Sequence, residues 1–321
     1  MKFHITKLPS KRNYVVLGKP FHNRIFFRLK LRGTYVFLSK ELAISKSPLG
    51  RFVRREIVRI RVDFVLKIAK YLNLSLEEIE RNIIWIGNNN SNGITNPKLP
   101  FDFSSRYAAR FLAAICNDGC ITNTHGKGSK FSYGSLQYYN NDLSLLSSIA
   151  EAAHSIFGGN PFKVYHRRNE TFLMFPSILR DVLMEITDFQ GIKSENNPRI
   201  PCIIFEDLIL QAGWIEQTIA DEGCIMFYPH KYRREVVWRR SFNKNLQIPN
   251  LIEDEKKILT NLGISFDVRL ISKYSTKKGI QKVRYHVRLA CKQNIKNLAK
   301  LINIPSKRKN ELFLKMVDSI K

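Results

Sequence analysis

The chain has 321 residues, with 53 Lys and Arg against 27 Asp and Glu, a formal net charge of +26 and a pI of about 10.0. An apolar fraction of 44% excludes a disordered chain, and the lack of any apolar run of about 18 residues excludes a membrane-spanning helix. Five scattered cysteines without a Cys-x-x-Cys pair exclude a zinc ribbon and fit a reduced, cytoplasmic setting; the Ile- and Lys-rich composition gives the expectation of a prokaryotic, archaeal host. So large a cationic excess calls for a polyanionic partner, nucleic acid first, and not a membrane.

Residues 1–88 hold 19 Lys and Arg against 6 Asp and Glu. Tyr14–Leu17 and Arg24–Lys30 read as strands or short amphipathic segments, with neither favoured. Phe37–Ile44 reads as a helix that Ser39 can cap. Ser45–Ser47 is a turn, and Pro48 leads a basic helix containing Arg51, Arg54 and Arg55. Asp63–Leu72 has helical apolar spacing, and Ser75 with Glu78 forms a capping-box pattern. From about residue 34 to 83 this texture resembles the helix-turn-helix of phage-repressor-type DNA-binding domains. The resemblance implies a small, mainly helical domain with a recognition helix from about Ser47 to Arg55. Ser47, Arg51, Arg54 and Arg55 then become candidates for phosphate or base-edge contacts.

A polar Gly/Asn-rich stretch, residues 89–99, reads as a linker. Beyond it the chain repeats itself. Phe111–Ile121 recurs as Trp214–Ile225, each an apolar helical run that stops at an acid followed by Gly-Cys-Ile. The acids, Asp118 and Glu222, lie 104 residues apart. Each motif glycine, Gly119 or Gly223, is followed 39 or 40 residues later by a helix-ending glycine, Gly158 or Gly263. Strand-like hairpins fall at matching places, as do helices near Asp142–Phe157, Pro176–Thr187, Asp254–Leu262 and Asn294–Leu301. Each copy closes on a lysine-bearing loop, Gly191–Ser194 or Ile304–Lys309. The predicted order is α-β-β-α-β-β-α, twice, over 100–197 and 198–321. An acid at a helix C-terminus opposes the macrodipole, so capping is a poor explanation for Asp118 and Glu222. Two such helices crossing end to end would bring both carboxylates to one divalent-metal site.

These motifs, with the Pro198–Phe205 approach to the second one, resemble those of the LAGLIDADG homing endonucleases in their monomeric, two-repeat, archaeal-type form. The resemblance covers about residues 100–321. It implies an α+β fold of tandem pseudo-twofold repeats with saddle-shaped antiparallel sheets lying on double-stranded DNA with a long target site. It implies that Asp118 and Glu222 bind metal, with Mg²⁺ as the cofactor and Mn²⁺ able to replace it, for hydrolysis of one phosphodiester on each strand. Lys193 and Lys307 match the family's basic catalytic residues, and Asn140 or Asn141 a polar residue that organises water. DNA-facing candidates are Lys130, Ser132, Gly134 and Leu136 in one copy, and Arg234, Val236, Trp238 and Arg240 in the other. The opposite parity, Arg233, Glu235, Val237 and Arg239, is equally open. Basic strand residues such as Lys282 and Arg284 are expected at phosphates.

The second motif departs from the family at Gln217, where glycine is usual, and at Glu216 beside it. Larger side chains there would widen the helix crossing or shift the acids. That departure supports one alternative, a DNA-binding regulator with a cleavage-inactive repeat; the other is an RNA maturase, which would use the same fold on its intron.

Overall fold

The computed structural model describes the chain apart from residues 10–11, 55–58, 89–91, 123, 126–131, 134, 160–161, 168, 190–195, 245–248, 277–278 and 321. It is a mixed α/β protein whose sheets are antiparallel. The chain forms two compact units. One comprises Met1–Asp102, His154–Pro161 and Phe175–Glu185; the other comprises Phe103–Ala153, Phe162–Met174 and Ile186–Lys321.

In chain order the first unit opens with β1 (Lys2–Phe3), β2 (Asn13–Leu17), α1 (Lys19–Arg32), α2 (Tyr35–Glu41), α3 (Lys46–Val53), β3 (Ile60–Arg61), α4 (Val62–Leu72), α5 (Leu76–Arg81), β4 (Ile83–Asn88), β5 (Ile94–Thr95) and β6 (Phe101–Asp102). The helices expected here are accompanied by a four-stranded sheet in the order β3-β2-β4-β5. Its central strand buries every second residue, as a strand with one covered face must. Tyr14–Leu17 is therefore strand, and Arg24–Lys30 lies inside a helix. Helix α2 begins two residues earlier than its sequence suggests, because Thr34 and not Ser39 caps it: Thr34 Oγ1 accepts from Phe37 N at 3.4 Å. The Ser39 hydroxyl instead donates to Ile44 O at 2.7 Å and closes the turn before α3. In α4 the apolar spacing is realised by buried Val62, Val65, Ile68, Ala69 and Leu72. Ser75 caps α5 as expected, accepting from Glu78 N at 3.1 Å. The N-terminal segment is tied down by buried Glu80, whose carboxylate accepts from His4 Nδ1 and Ile5 N, both at 2.9 Å.

The chain continues with α6 (Arg106–Asn117), β7 (Gly119–Ile121), β8 (Thr124–His125), β9 (Ser132–Tyr133), β10 (Leu136–Tyr139), α7 (Leu143–Phe157), β11 (Val164–Arg167), β12 (Glu170–Phe175) and α8 (Ser177–Ile186). Then come α9 (Leu208–Glu222), β13 (Gly223–Tyr228), β14 (Arg233–Asn243), α10 (Asn250–Asn261), β15 (Asp267–Ser275), β16 (Gln281–Leu289), α11 (Lys292–Leu301) and α12 (Lys307–Asp318). The two larger sheets have the orders β7-β10-β12-β11 and β13-β14-β16-β15, the same sequence of neighbours counted from each motif strand. Gly158 and Gly263 follow α7 and α10 at φ of +72° and +68°, a left-handed turn that a side chain would strain. Lys307–Lys309, expected as loop, is instead the first turn of α12, because Ser306 precedes a 12-residue helix with buried Phe313 and Met316.

Candidate metal and nucleic-acid site

The second unit is built around α6 and α9. Ser105 caps the first, accepting from Ala108 N at 3.2 Å, and Asp207 caps the second, accepting from Ile209 N at 2.7 Å. Residues Leu210–Ala220 of α9 are buried without interruption, as are Phe111–Cys116 of α6. The backbones approach closely at Gly213, where a Cβ would lie 2.9 Å from Arg106 O and 3.1 Å from Ala109 Cβ. The small residue that permits close approach thus sits four positions before Gln217.

The two large polar residues do not splay the helices. Glu216 is fully buried, but its carboxylate accepts from Arg106 Nε at 2.9 Å and Arg110 Nε at 2.7 Å, both from α6. The two arginines offset the desolvation penalty of this buried charge, which would be severe if either partner were missing. Gln217 Nε2 donates to Asp221 Oδ1 at 2.8 Å.

At the C-terminal ends of the helices, Asn117 Nδ2 donates to Asp221 Oδ2 at 3.0 Å, so the residues preceding the two motif acids touch across the contact. Tyr138 of β10 donates its hydroxyl to Asp221 Oδ1 at 2.7 Å. Asn140 Nδ2 donates to Asp118 Oδ2 at 3.2 Å. Burial first, and the nearby Asp118 charge second, push the Asp221 carboxyl group up to about 8 against the pull of its three hydrogen bonds. Burial likewise drives the Tyr138 hydroxyl well above its ordinary value, with the Asp221 charge adding to it.

Glu222 is half-buried and has a different neighbour. Arg240 Nη1 lies 3.5 Å from Glu222 Oε1, while Arg240 Nη2 and Nε donate to Glu255 Oε1 at 2.6 and 3.1 Å. Trp238 Nε1 donates to Glu255 Oε2 at 2.9 Å. Burial alone would depress the Arg240 guanidinium, but Glu255 and Glu222 more than offset it and hold the charge firmly in place. Trp238 and Arg240 therefore lie on the covered face of β14 and are not surface contacts. Arg234, of the same parity, donates to Ser319 Oγ at 2.8 Å.

The other parity carries the exposed residues of β14, Arg233 and Arg239, although Glu235 and Val237 between them are buried too. Register places Val237 beside Arg288, Arg239 beside His286, Ser241 beside Arg284 and Asn243 beside Lys282, and on the next strand Arg269 beside His286 and Tyr274 beside Lys282. Residues directly opposite share a face, so Lys282 and Arg284 stand with Arg233, Arg239, Arg269 and Arg288 on one surface. Glu235 and Asp267 are its acids. Arg288 and Arg233 both donate to Glu235, at 2.7 and 3.1 Å, and Arg284 stacks over Tyr274 at 5.0 Å. Burial first, and the nearby Arg239 second, lower the His286 imidazole on this cationic face. The β7-β10-β12-β11 sheet carries an aromatic row instead: Tyr139, Phe172 and Tyr165, with ring centroids 5.2 and 5.8 Å apart.

Of the two lysines expected at the acids, Lys193 lies outside the described residues, as do Lys130 and Arg55; the Ser132 strand is described, but not its side chain. Lys307 is exposed, and its backbone N–H donates to Ser144 Oγ at 3.4 Å. The lysine that reaches the motif is Lys309. Its Nζ donates to the carbonyls of Ala220 at 2.6 Å, Ile219 at 3.2 Å and Asp221 at 3.4 Å, closing the end of α9. Burial lowers its pKa, against the pull of Asp221. Ser47, Arg51 and Arg54 are exposed on or just after α3 in the first unit. Lys309, Asp221, Asn117 and Tyr138 were not singled out in sequence. A signal for Asp221 was present, since a second acid beside Glu222 is doubly unfavourable at a helix C-terminus; none marked Lys309 apart from Lys307.

No family model and no curated protein matches the chain. Among solved structures, it is similar to a mutant of I-SmaMI, with 11% identity over 66% of this chain and 96% of that one, and a TM-score of 0.37. It is similar also to the I-SmaMI LAGLIDADG homing endonuclease bound to cleaved DNA, with 10% identity, 65% and 87% coverage, and a TM-score of 0.39. A third is the LAGLIDADG homing endonuclease I-GzeII in complex with its DNA target, with 10% identity, 65% and 87% coverage, and a TM-score of 0.33. Likenesses of this size assign no residue.

Proposed function

We propose that the chain is a site-specific, divalent-metal-dependent DNA endonuclease of the LAGLIDADG homing type, formed by tandem repeats over 100–197 and 198–321. The observation that carries this reading is the meeting of the two motif helices, whose penultimate residues Asn117 and Asp221 are hydrogen-bonded at 3.0 Å beside the half-buried acids Asp118 and Glu222. Among the described residues no three His, Cys, Asp or Glu gather into a closed cage. Two carboxylates with hard oxygen donors suit a cation that keeps water and phosphate among its ligands, as Mg²⁺ does. When bound there, the metal would supply Lewis acidity to the scissile phosphate.

The chain's own residues do the rest. Asp118 and Glu222, one at each helix end, are the carboxylates that would hold a divalent cation. Asn140 orients the Asp118 carboxylate through its N–H. Lys309, fixed on the last carbonyls of α9, brings a positive charge toward the developing negative charge of the phosphate. Arg233, Arg239, Arg269, Lys282, Arg284 and Arg288 meet phosphates along the duplex and set its register. In the first unit, a helix-turn-helix formed by α2 and α3 would offer Ser47, Arg51 and Arg54 to phosphates or base edges of DNA.

The Arg240–Glu222 pair favours a second reading, a DNA-binding regulator, since a cation already beside the acid competes with a metal. Asp118→Asn and Glu222→Gln separate the two. An endonuclease loses at least about a thousandfold in cleavage rate with affinity nearly unchanged. A regulator shows no cutting in any form.

A further inference from the structure

Lys309 owes its place to a contact made three residues earlier in the chain. Ser306 precedes α12 and is fully buried, yet its hydroxyl does not cap its own helix; it donates to Asp142 Oδ2 at 2.7 Å. Asp142 stands at the start of α7, where its Oδ1 accepts from Ser144 N at 3.0 Å and from Ser144 Oγ at 2.6 Å. One carboxylate thus joins the first turns of two helices that are 164 positions apart in sequence. Lys307 N adds to the seam through Ser144 Oγ. Burial alone would raise the Asp142 carboxyl group, but the hydrogen bonds from Ser144 and Ser306 outweigh it and keep the group below its ordinary value. The approach to α12 is held as well, since Asn303 N donates to the Glu216 carboxylate and Ile304 N to Asn310 Oδ1 at 3.1 Å. Lys309 lies nearly one helical turn beyond Ser306. A fixed start to α12 therefore aims its side chain at the carbonyls of Ile219, Ala220 and Asp221. The Asp142 N–H also donates to Asn140 Oδ1 at 2.9 Å, and Asn140 Nδ2 reaches Asp118.

We propose that Asp142 is a positioning residue of the site: through Ser306 its carboxylate sets where α12 begins, and so seats the Lys309 ammonium at the end of α9. The inference rests on the endonuclease reading for its effect on cleavage, though not for the lysine's seat. A fixed lysine gives up much rotamer freedom, so a loosened α12 lets Lys309 exchange its carbonyl partners for water.

Two readouts test it on the full chain. The first is the rate at which an N-hydroxysuccinimide ester acylates Lys309, read by peptide mass spectrometry against the exposed Lys292. The second is single-turnover cleavage of a duplex target. Ser306→Ala and Asp142→Ser both break the bridge, and both leave α7 capped, since serine is itself a good N-cap. Each should raise Lys309 acylation about tenfold and slow cleavage about tenfold, the scale of one hydrogen bond to a charged group, with DNA affinity within about twofold. The double variant should do no more than either single one. Acylation is run below each variant's melting temperature, with buried Cys116 unreactive toward alkylation as the check on the fold. In a Lys309→Ala background, Ser306→Ala should leave the residual rate within about twofold, whereas a merely structural role would slow it again. Lys309 that stays protected in either variant would overturn the proposal, as would equal losses of rate with and without Lys309. Absence of all cutting would sink the endonuclease reading alone. Acylation then decides: Lys309 exposed in both variants supports the seat, and Lys309 protected refutes it.

Discussion

Asp221 is the residue whose chemistry departs furthest from its sequence context. A carboxyl group pushed up to about 8 binds its proton more tightly folded than unfolded. Its contribution to stability is therefore complete below the ordinary carboxylate range near pH 4, and is lost as pH rises through about 8. Asp221→Asn should flatten the melting temperature between those limits and raise it at pH 8; an unchanged pH slope would show that Asp221 is ionised throughout. Lys309 gives a second contrast. Lys309→Ala removes the cation from the last carbonyls of α9 and should cost about 1 kcal/mol in stability, together with most of the cleavage rate. Lys307→Ala, at an exposed side chain, should change neither. Sequence placed Asp118 and Glu222 at helix ends because the apolar run, acid and glycine occur twice. It could not distinguish Lys307 from Lys309, since that choice turns on where α12 begins, and a serine followed by three basic residues reads as a loop.

At the scale of elements, the decisive contact is α6 against α9. The sequence offered Gln217 and Glu216 as reasons for a widened crossing, but both are absorbed, Glu216 by Arg106 and Arg110 and Gln217 by Asp221. The compensating arginines lie 110 and 106 residues away in sequence, beyond any local pattern. Gly213 bears the close approach. Gly213→Ala would set a methyl group 2.9 Å from Arg106 O, backbone that cannot move aside, and should destabilise the protein by about 1–3 kcal/mol with a matching loss of cleavage. Full stability in that variant would show that the helices stand further apart. Strand parity was the element-scale question that periodicity left open. Arg233-Arg234 and Arg239-Arg240 put a cation on each face of β14, so charge alone did not reveal which face is covered. Trp238 and Arg240 enclose Glu255 on one face, and the exposed Arg233 and Arg239 mark the other.

Across the whole molecule the governing quantity is the +26 charge, half of it within residues 1–88. If α3 and the open face of β14 and β16 both meet phosphate, replacing Arg51 and Arg54 by alanine should lower the slope of log affinity against log salt by about 2. Arg239→Ala should lower it by about 1. Slopes that stay fixed would remove the corresponding surface from the DNA footprint. The central claim, that two motif acids at one helix contact cut DNA, is tested most directly by cleavage selection on a randomised duplex library. The selection would use Mg²⁺ at about 10 mM, suited to a weakly held hard cation, with Asp118→Asn run in parallel. The account predicts discrete cut sites that vanish in the variant. A library bound but left intact by both proteins, or cut equally by both, would contradict it.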